Sequence, residues 1–162
     1  GNGTFVTVGD NGIIVTSTDN GTSWTSRTSG ISQSQNGVTY GNGTFVTVGD
    51  NGIILTSTDN GTSWTSRTSG VSNTENLLDV TYGKGTFVSV GSGGTIVTSP
   101  YGNTWTSRTS GTSNTLEGIT YGNSTFMTVG WSGTVLTSSD GISWTSRTSG
   151  TSNLLWEVTN TE

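Results

Sequence analysis

The sequence predicts an all-β protein built from four copies of one unit of about 40 residues. The string Trp-Thr-Ser-Arg-Thr-Ser-Gly occurs four times in the 162 residues, beginning at Trp24, Trp64, Trp105 and Trp144. β-Branched residues dominate the apolar positions, Ala is absent, and the apolar residues show no helical period. A repeat of this length made of strand-forming residues favours the blades of a β-propeller over paired helices.

Each unit contains four short runs of strand-forming residues, separated by turns rich in Gly and Asn. In the second unit the runs cover residues 44–48, 53–57, 63–69 and 77–82. The turns, such as Gly-Asn-Gly and Asp-Asn-Gly, supply the left-handed backbone positions of tight hairpins. Four strands in about 40 residues are typical of one four-stranded antiparallel propeller blade. We therefore predict a single propeller or half-propeller domain over residues 1–162, with repeat units 1–40, 41–82, 83–121 and 122–162.

The order of the runs predicts how the ring closes. Residue 1 comes just before a second-strand segment, and residues 154–159 match the first-strand segments of the other units. The C-terminal strand is thus expected to complete the N-terminal blade, which removes exposed strand edges. Closure within one chain makes four blades. Closure between two chains makes an eight-bladed homodimer, which we favour because four such blades crowd around a small ring.

The residues that are missing exclude several kinds of site. His and Cys are both absent, so a Ser-His-Asp or Cys-His nucleophile, a zinc site, a thiol redox pair and a disulfide are not expected. The net charge of −5 argues against nucleic acid as a partner and against a polybasic membrane patch. No apolar run reaches the roughly 20 residues of a membrane span, so we expect no membrane insertion. We also expect no cofactor.

A turn containing Ser and Asp recurs before the repeated Trp. Residues 17–24 and 57–64 read Ser-x-Asp-x-Gly-x-Ser-Trp, residues 138–144 keep the Asp in a shorter turn, and residues 99–105 have lost it. The motif resembles the Asp-box (BNR repeat) of sialidase-type propellers. The flanking phrases are similar to the repeats of bacterial photosystem II stability/assembly factor-like propellers. The resemblance implies a structural motif that stabilises the hairpin between the third and fourth strands, with Asp19, Trp24, Asp59, Trp64, Trp105, Asp140 and Trp144 as its residues.

One face of the predicted propeller carries most of the sequence variation. The connections between strands 2 and 3, and between strand 4 and the next strand 1, share this face, whereas the Asp-box turns lie on the other. Loops on a rigid β scaffold are where binding residues usually lie. We therefore expect ligand contacts on the variable loops, and their acidic residues are Asp10, Asp50, Glu75, Asp79, Glu117 and Glu157.

Two Trp residues stand outside the repeated motif. Trp131 replaces a turn residue that is Asp10, Asp50 or Ser92 in the other units. An exposed indole at this position could stack on a sugar or anchor a protein partner, and the alternative is packing on a neighbouring loop. Trp156 falls in the predicted C-terminal inner strand, where we expect it in the core, with a position facing the central channel as the alternative.

These observations favour a non-catalytic binding or scaffold module for a protein surface or a glycan. Four nearly identical units rarely build the asymmetric centre that catalysis needs, so a glycoside hydrolase-like enzyme is the less favoured alternative. A second alternative is an engineered or recently amplified repeat protein that only assembles, because residues 1–30 and 41–70 differ only at Val15 and Leu55. We expect a bacterial protein that acts outside the cytoplasm or at the cell surface.

Overall fold

The computed structural model describes residues 3–161, and these residues form four antiparallel sheets arranged as successive propeller blades. The predicted all-β propeller architecture is therefore confirmed. The helical structure in this part of the chain consists of 3₁₀ turns of three residues, and no helix in it is long and apolar enough to cross a bilayer. The 3₁₀ turns lie at Asp10–Gly12, Asp50–Gly52, Ser92–Gly94 and Trp131–Gly133.

Blades 2, 3 and 4 each have four strands, and blade 1 has three. Blade 1 contains β1 (Phe5–Val8), β2 (Ile14–Ser17) and β3 (Thr25–Arg27). Blade 2 contains β4 (Gln35–Gly41), β5 (Thr44–Gly49), β6 (Ile54–Ser57) and β7 (Thr65–Arg67). Blade 3 contains β8 (Leu77–Gly83), β9 (Thr86–Gly91), β10 (Ile96–Ser99) and β11 (Thr106–Arg108). Blade 4 contains β12 (Leu116–Gly122), β13 (Thr125–Gly130), β14 (Val135–Ser138) and β15 (Thr145–Arg147).

The inner strand of each complete blade comes first in the chain. The run 77–82, which the repeat units place at the end of the second unit, is the inner strand of blade 3. Strand β8 pairs with β9, through the register Tyr82↔Phe87, because a tight hairpin joins them directly. The same register packs Tyr82 against Phe87 in a tilted arrangement, with ring centroids 4.6 Å apart, and the equivalent pairs of blades 2 and 4 lie at 4.7 and 4.5 Å.

The hydrophobic core lies between neighbouring blades. One buried cluster joins Val46 and Val48 of blade 2 to Phe87 and Val97 of blade 3, and a second joins blades 3 and 4 in the same way. The outer hairpins of blades 2, 3 and 4 also cover the blade before them. A Cβ on Gly102, for example, would lie 3.2 Å from Val46 Cγ2. The two middle blades are thus each buried by two neighbours.

The two ends of this arc lack such neighbours. Strand β1 pairs with β2 alone, and Phe5 is 52% exposed where the equivalent Phe45 is 5% exposed. Residues 154–161 are not assigned as a strand, but Leu155 N–H donates to Gly130 O at 3.1 Å, as Gln35 N–H does to Gly9 O at 3.0 Å. This segment therefore lies where the inner strand of a further blade belongs.

The predicted closure of blade 1 is consequently not formed within one chain. Residues 154–161 lie beside β12, on the side away from blade 3: a Cβ on Gly118 would be 3.0 Å from Glu157 Cα. Strand β1 keeps its free edge at the other end of the arc. The segment forms no strand here because β1 of this chain, its predicted hydrogen-bonding partner, is out of reach.

A substitution in the inner hairpin of blade 4 tests the turn chemistry. Ser124 has a φ of 58°, whereas the equivalent Gly43 and Gly85 have φ of 75° and 78°. Since a left-handed backbone is unfavourable for residues with a Cβ, Ser124→Gly is expected to stabilise the fold by about 1 kcal/mol. The free energy of unfolding in urea measures this, and the reciprocal variant Gly85→Ser is the control, with a loss of similar size. An unchanged free energy of unfolding in both variants would contradict the argument.

Candidate binding face

The 3₁₀ turns and the loops that enter each blade meet on one face of the arc. Backbone hydrogen bonds join them: Asp50 N–H donates to Ser34 O, Ser92 N–H to Asn76 O, and Trp131 N–H to Thr115 O, at 2.9–3.0 Å. We call this surface, made of the four 3₁₀ turns and residues 28–34, 68–76, 109–115 and 148–154, the variable face. Its loops are held by the blades and by one another, so the face is a rigid surface.

Trp131 is the most prominent side chain of the variable face. It is 53% exposed, and its indole N–H donates to Glu117 Oε1 at 2.5 Å. Glu117 lies near the start of β12, in the same blade. The bond holds the nitrogen edge of the indole and leaves more than half of the side chain open to a ligand.

The 3₁₀ turns of blades 2 and 3 also form hydrogen bonds at the start of their inner strands, but through other groups. Asp50 Oδ1 accepts a hydrogen bond from Asn36 Nδ2 at 3.0 Å. Ser92 Oγ accepts one from the backbone N–H of Asn76 at 2.8 Å. In blade 4 the donor therefore stands in the turn, while in blade 2 it stands on the inner strand. These pairs were not predicted from the sequence, although the shared spacing of Asn36 with Asp50 and of Glu117 with Trp131 could have indicated them.

The remaining acidic residues of the variable face lie apart from one another. Asp10 Oδ1 accepts a bond from Ser34 Oγ at 3.3 Å, and Glu75 bonds to the hydroxyl of Thr95. No group of three or more acidic side chains that could hold a metal ion occurs within residues 3–161. Each of these two carboxylates instead accepts a hydrogen bond from a hydroxyl close to it.

Asp79 lies on the inner strand of blade 3 and is largely buried. One carboxylate oxygen, Oδ2, accepts a bond from the backbone N–H of Ile119 in blade 4 at 2.8 Å, and Oδ1 accepts the N–H of Val80 at 2.8 Å. Burial raises the pKa of Asp79 to about 6, and the negative charge of Glu157 adds to the rise. Asp79 thus links two inner strands, and its part in ligand binding stays a prediction.

Trp156 and Glu157 lie on the C-terminal segment, and both are exposed. Trp156 is 68% exposed, so the expectation that it belongs to the core is wrong for the single chain. The reason is the missing neighbour: at the end of the arc no further blade covers this side chain.

The turns that carry the Ser and Asp motif lie at the outer hairpins, away from the variable face. Asp59 Oδ1 accepts bonds from the Ser57 hydroxyl and the Ser63 N–H, at 2.7 and 2.9 Å, and Oδ2 accepts the Ser63 hydroxyl at 2.6 Å. Bonds of the same kind, chiefly from the Ser23 hydroxyl, lower the pKa of Asp19 to about 2. Since the folded state favours the ionised form, this contribution to stability is present above about pH 4 and is lost as the pH falls towards 2.

The turn of blade 3 keeps part of this network without the carboxylate. Ser99 Oγ accepts the Gly102 N–H at 2.8 Å, and the Trp105 indole N–H donates to Gly102 O at 3.0 Å. The equivalent indole of Trp64 donates to Gly61 O at the same distance. Trp105 is 7% exposed. The four Trp residues of this motif therefore anchor hairpins, and Trp64 and Trp105 also pack against Phe45 and Phe87 of their own blades, with ring centroids 6.5 and 6.4 Å apart. In blade 4, bonds led by the Ser143 N–H lower the pKa of Asp140.

Similar clefts recur beside the 3₁₀ turns of several blades. In blade 4 a cleft of about 630 Å³ is lined by Gly133, Arg147 and Ser149. Blade 1 has an equivalent of about 780 Å³ and blade 3 one of about 520 Å³. Each Arg donates its Nε to a Thr of the neighbouring strand, as Arg147 does to Thr137 at 2.8 Å. The repetition of these clefts distributes the arginines around the arc, so they do not converge on one centre.

Comparisons with known proteins place the fold. Neither a family model nor a curated protein sequence matches the chain. Two solved structures of similar architecture are "YCF48 bound to D1 peptide" (21% identity, TM-score 0.74) and YCF48 from Cyanidioschyzon merolae (18% identity, TM-score 0.67). A third is the GH74 enzyme of Niastella koreensis, with 21% identity and a TM-score of 0.56.

The share of each chain that is covered is as informative as the similarity. The matches include 97%, 89% and 86% of this chain, but only 53%, 52% and 21% of the three neighbours. The chain thus spans about half the length of the two YCF48 structures. The chain therefore shares the fold of part of these longer structures.

A pH titration tests the position of Asp79. The pKa is raised from 3.8 to about 6 on folding, so the folded state binds the proton more tightly than the unfolded state. The contribution of Asp79 to the free energy of unfolding is therefore greatest below about pH 4. It falls by up to roughly 3 kcal/mol as the pH rises through 6. The variant Asp79→Asn is expected to flatten the profile of unfolding free energy between pH 4 and 7, measured in urea. A profile parallel to that of the parent protein would contradict the buried carboxylate.

Proposed function

We propose that the chain is a non-catalytic propeller module that binds a protein segment through the variable face. The observation that carries this proposal is Trp131, a large exposed aromatic on a turn that the blade holds rigidly. Aromatic side chains of this kind contribute much of the binding energy at protein interfaces. The neighbour "YCF48 bound to D1 peptide" has a similar fold and a peptide ligand, which supports a protein segment as the class of ligand.

The position of Trp131 suits an anchor. The turn residues on either side of it form backbone bonds, with Thr134 N–H donating to Trp131 O at 3.0 Å and Gly130 N–H to Thr134 O at 3.0 Å. The indole nitrogen is held by Glu117. Little side-chain freedom is therefore left to lose on binding, which favours affinity. The acidic residues Asp10, Asp50, Glu75 and Glu117 lie on the same face, and their carboxylates suit a ligand segment that carries Lys or Arg.

A glycan is the second candidate ligand. The specific observation in its favour is the same exposed indole, since sugars stack on aromatic faces. Hydroxyl-lined clefts lie close by, at Ser132 and Ser149 in blade 4. The peptide is preferred because Trp131 occurs in one blade only, whereas the hydroxyl-lined clefts are repeated.

The absence of catalysis is part of the proposal. The clefts of blades 1, 3 and 4 are copies of one another, and each lacks a carboxylate pair among its lining residues. The GH74 enzyme shares the fold over only 21% of its length, so it does not favour hydrolysis. The hydrogen bonds at Asp19, Asp59 and Asp140 favour kinship with Asp-box propellers, in which this motif has a structural role.

We also propose that two chains form one eight-bladed ring. The exposed apolar residues of the first blade, Phe5, Ile13 and Trp24, are 52, 46 and 47% exposed. Blade 4 and Trp156 form the opposite end. In blades 2, 3 and 4 the equivalent surfaces cover each other, so the free ends of the arc are complementary.

The Trp131 anchor is tested with peptides selected on the protein itself. A random peptide library displayed on phage is selected on the parent chain, and bound peptides are measured by titration calorimetry. The variant Trp131→Ala is expected to bind them roughly 30-fold more weakly, because it removes a central aromatic contact.

A matched control is Tyr101→Ala, which removes an aromatic of 67% exposure from the opposite face. It is expected to leave peptide affinity unchanged. Equal affinities of all three proteins would exclude Trp131 as the anchor. Enrichment on a glycan array that Trp131→Ala abolishes, with no peptide selected, would favour the sugar instead.

A further inference from the structure

The start of each inner strand meets the first residue of the 3₁₀ turn in its own blade. In blade 2 the pair is Asn36 with Asp50, and in blade 4 it is Glu117 with Trp131. Both pairs are fourteen residues apart, and both join one hydrogen-bond donor to one carboxylate. In blade 3 the inner strand has Leu78 at this place, and the turn residue Ser92 bonds to the backbone of Asn76 instead.

Blade 1 has the turn residue of such a pair but not its partner. Asp10 opens the first 3₁₀ turn, and blade 1 has no inner strand within residues 3–161 of this chain. Ser34 Oγ reaches Asp10 Oδ1 at 3.3 Å, and Oδ2 accepts no hydrogen bond from the described residues. The carboxylate is exposed and free to accept a further donor.

The C-terminal segment carries the matching donor. Leu155 bonds to Gly130 as Gln35 bonds to Gly9, so Trp156 follows Leu155 as Asn36 follows Gln35. Trp156 is 68% exposed, and its indole N–H donates no hydrogen bond in the described part of the chain. The segment thus presents an indole N–H at the place where blade 2 presents the Asn36 amide.

We propose that residues 154–161 form the inner strand of blade 1 in a second copy of the chain, where the Trp156 indole N–H donates to Asp10 of the partner subunit. This inference rests on the proposed two-chain ring and identifies a hydrogen bond between its two subunits. The pair in blade 4 is the precedent, since Trp131 and Glu117 show that an indole and a carboxylate fit this site. At the seam the two residue types exchange places between turn and strand.

The seam also accounts for the exposure of both residues. Trp156 and Asp10 lie at opposite ends of one arc, and each end has the surface that a neighbouring blade covers elsewhere in the chain. In a ring of two chains arranged head to tail, the C-terminal segment of each chain meets blade 1 of the other. The ring therefore contains two identical junctions, which we call seams, each with one Trp156 and one Asp10. A bond to a charged acceptor at each seam then adds orientation to the strand pairing, which by itself permits slippage.

The experiment is a double-mutant cycle on the dissociation constant of the dimer. Sedimentation equilibrium is run on the parent chain, Trp156→Phe, Asp10→Ala and the double variant. Trp156→Phe keeps an aromatic ring and removes the N–H. Each single variant is expected to raise the dissociation constant of the dimer about tenfold for each seam. The double variant is expected to raise it no further than the single variant with the larger effect. The control, Trp64→Phe, removes an indole bond inside the arc and is expected to leave the constant within about twofold.

The outcomes separate the contact from the ring. Parent-like dissociation of both single variants, or additive effects in the double variant, would overturn the Trp156–Asp10 contact while leaving the two-chain ring intact. A parent chain that sediments at its monomer mass of 16.7 kDa at every concentration would overturn the ring and the contact together.

Discussion

Burial between neighbouring blades is the interaction on which the rest of this structure depends. Strands of three to seven residues cannot form a core within one sheet, so each blade buries its apolar side chains against the next. The outer hairpins of blades 2, 3 and 4 complete this cover, because each one lies on the blade before it. Gly141 illustrates how closely, since a Cβ there would be 3.1 Å from Val88 Cγ2. A substitution at such a contact therefore disturbs the packing of two blades.

The same constraint explains why the two ends of the arc differ from its middle. Phe5 is exposed, whereas the equivalent Phe45 is buried by the neighbouring blade. A Cβ on Gly21, in the outer hairpin of blade 1, would lie 3.9 Å from the ring of its own Trp24. A Cβ on the equivalent Gly61 would lie 2.9 Å from Thr16 Cγ2 of the preceding blade. An edge strand and an apolar face left open together favour association with a complementary surface.

Much of the fold could be predicted from the sequence because the information is local and repeated. The turn residues, the strand runs and the period of about 40 residues all indicate blades. The contacts of Asp79 could not be predicted in this way, because its partner Ile119 lies 40 residues away in the next blade. The exposure of Trp156 depends on how the arc ends, which no pattern within one unit contains. For the variable face, Trp131 stood out because it breaks the repeat, whereas its bond to Glu117 was not predicted, although the spacing that this pair shares with Asn36 and Asp50 could have indicated it.

A cysteine cross-link between β1 and the C-terminal segment tests the central claim most directly. The registers Val38↔Thr47, Val80↔Ser89 and Ile119↔Thr128 place Val158 opposite Thr7 in the completed blade. The parent chain has no Cys, so the double variant Thr7→Cys, Val158→Cys is free of competing thiols. Bridging with a short bismaleimide, followed by denaturing electrophoresis, is expected to give a covalent dimer of about 33 kDa, twice the 16.7 kDa chain. A bridged product that remains at the mass of one chain would show closure within the monomer and would contradict the eight-bladed ring.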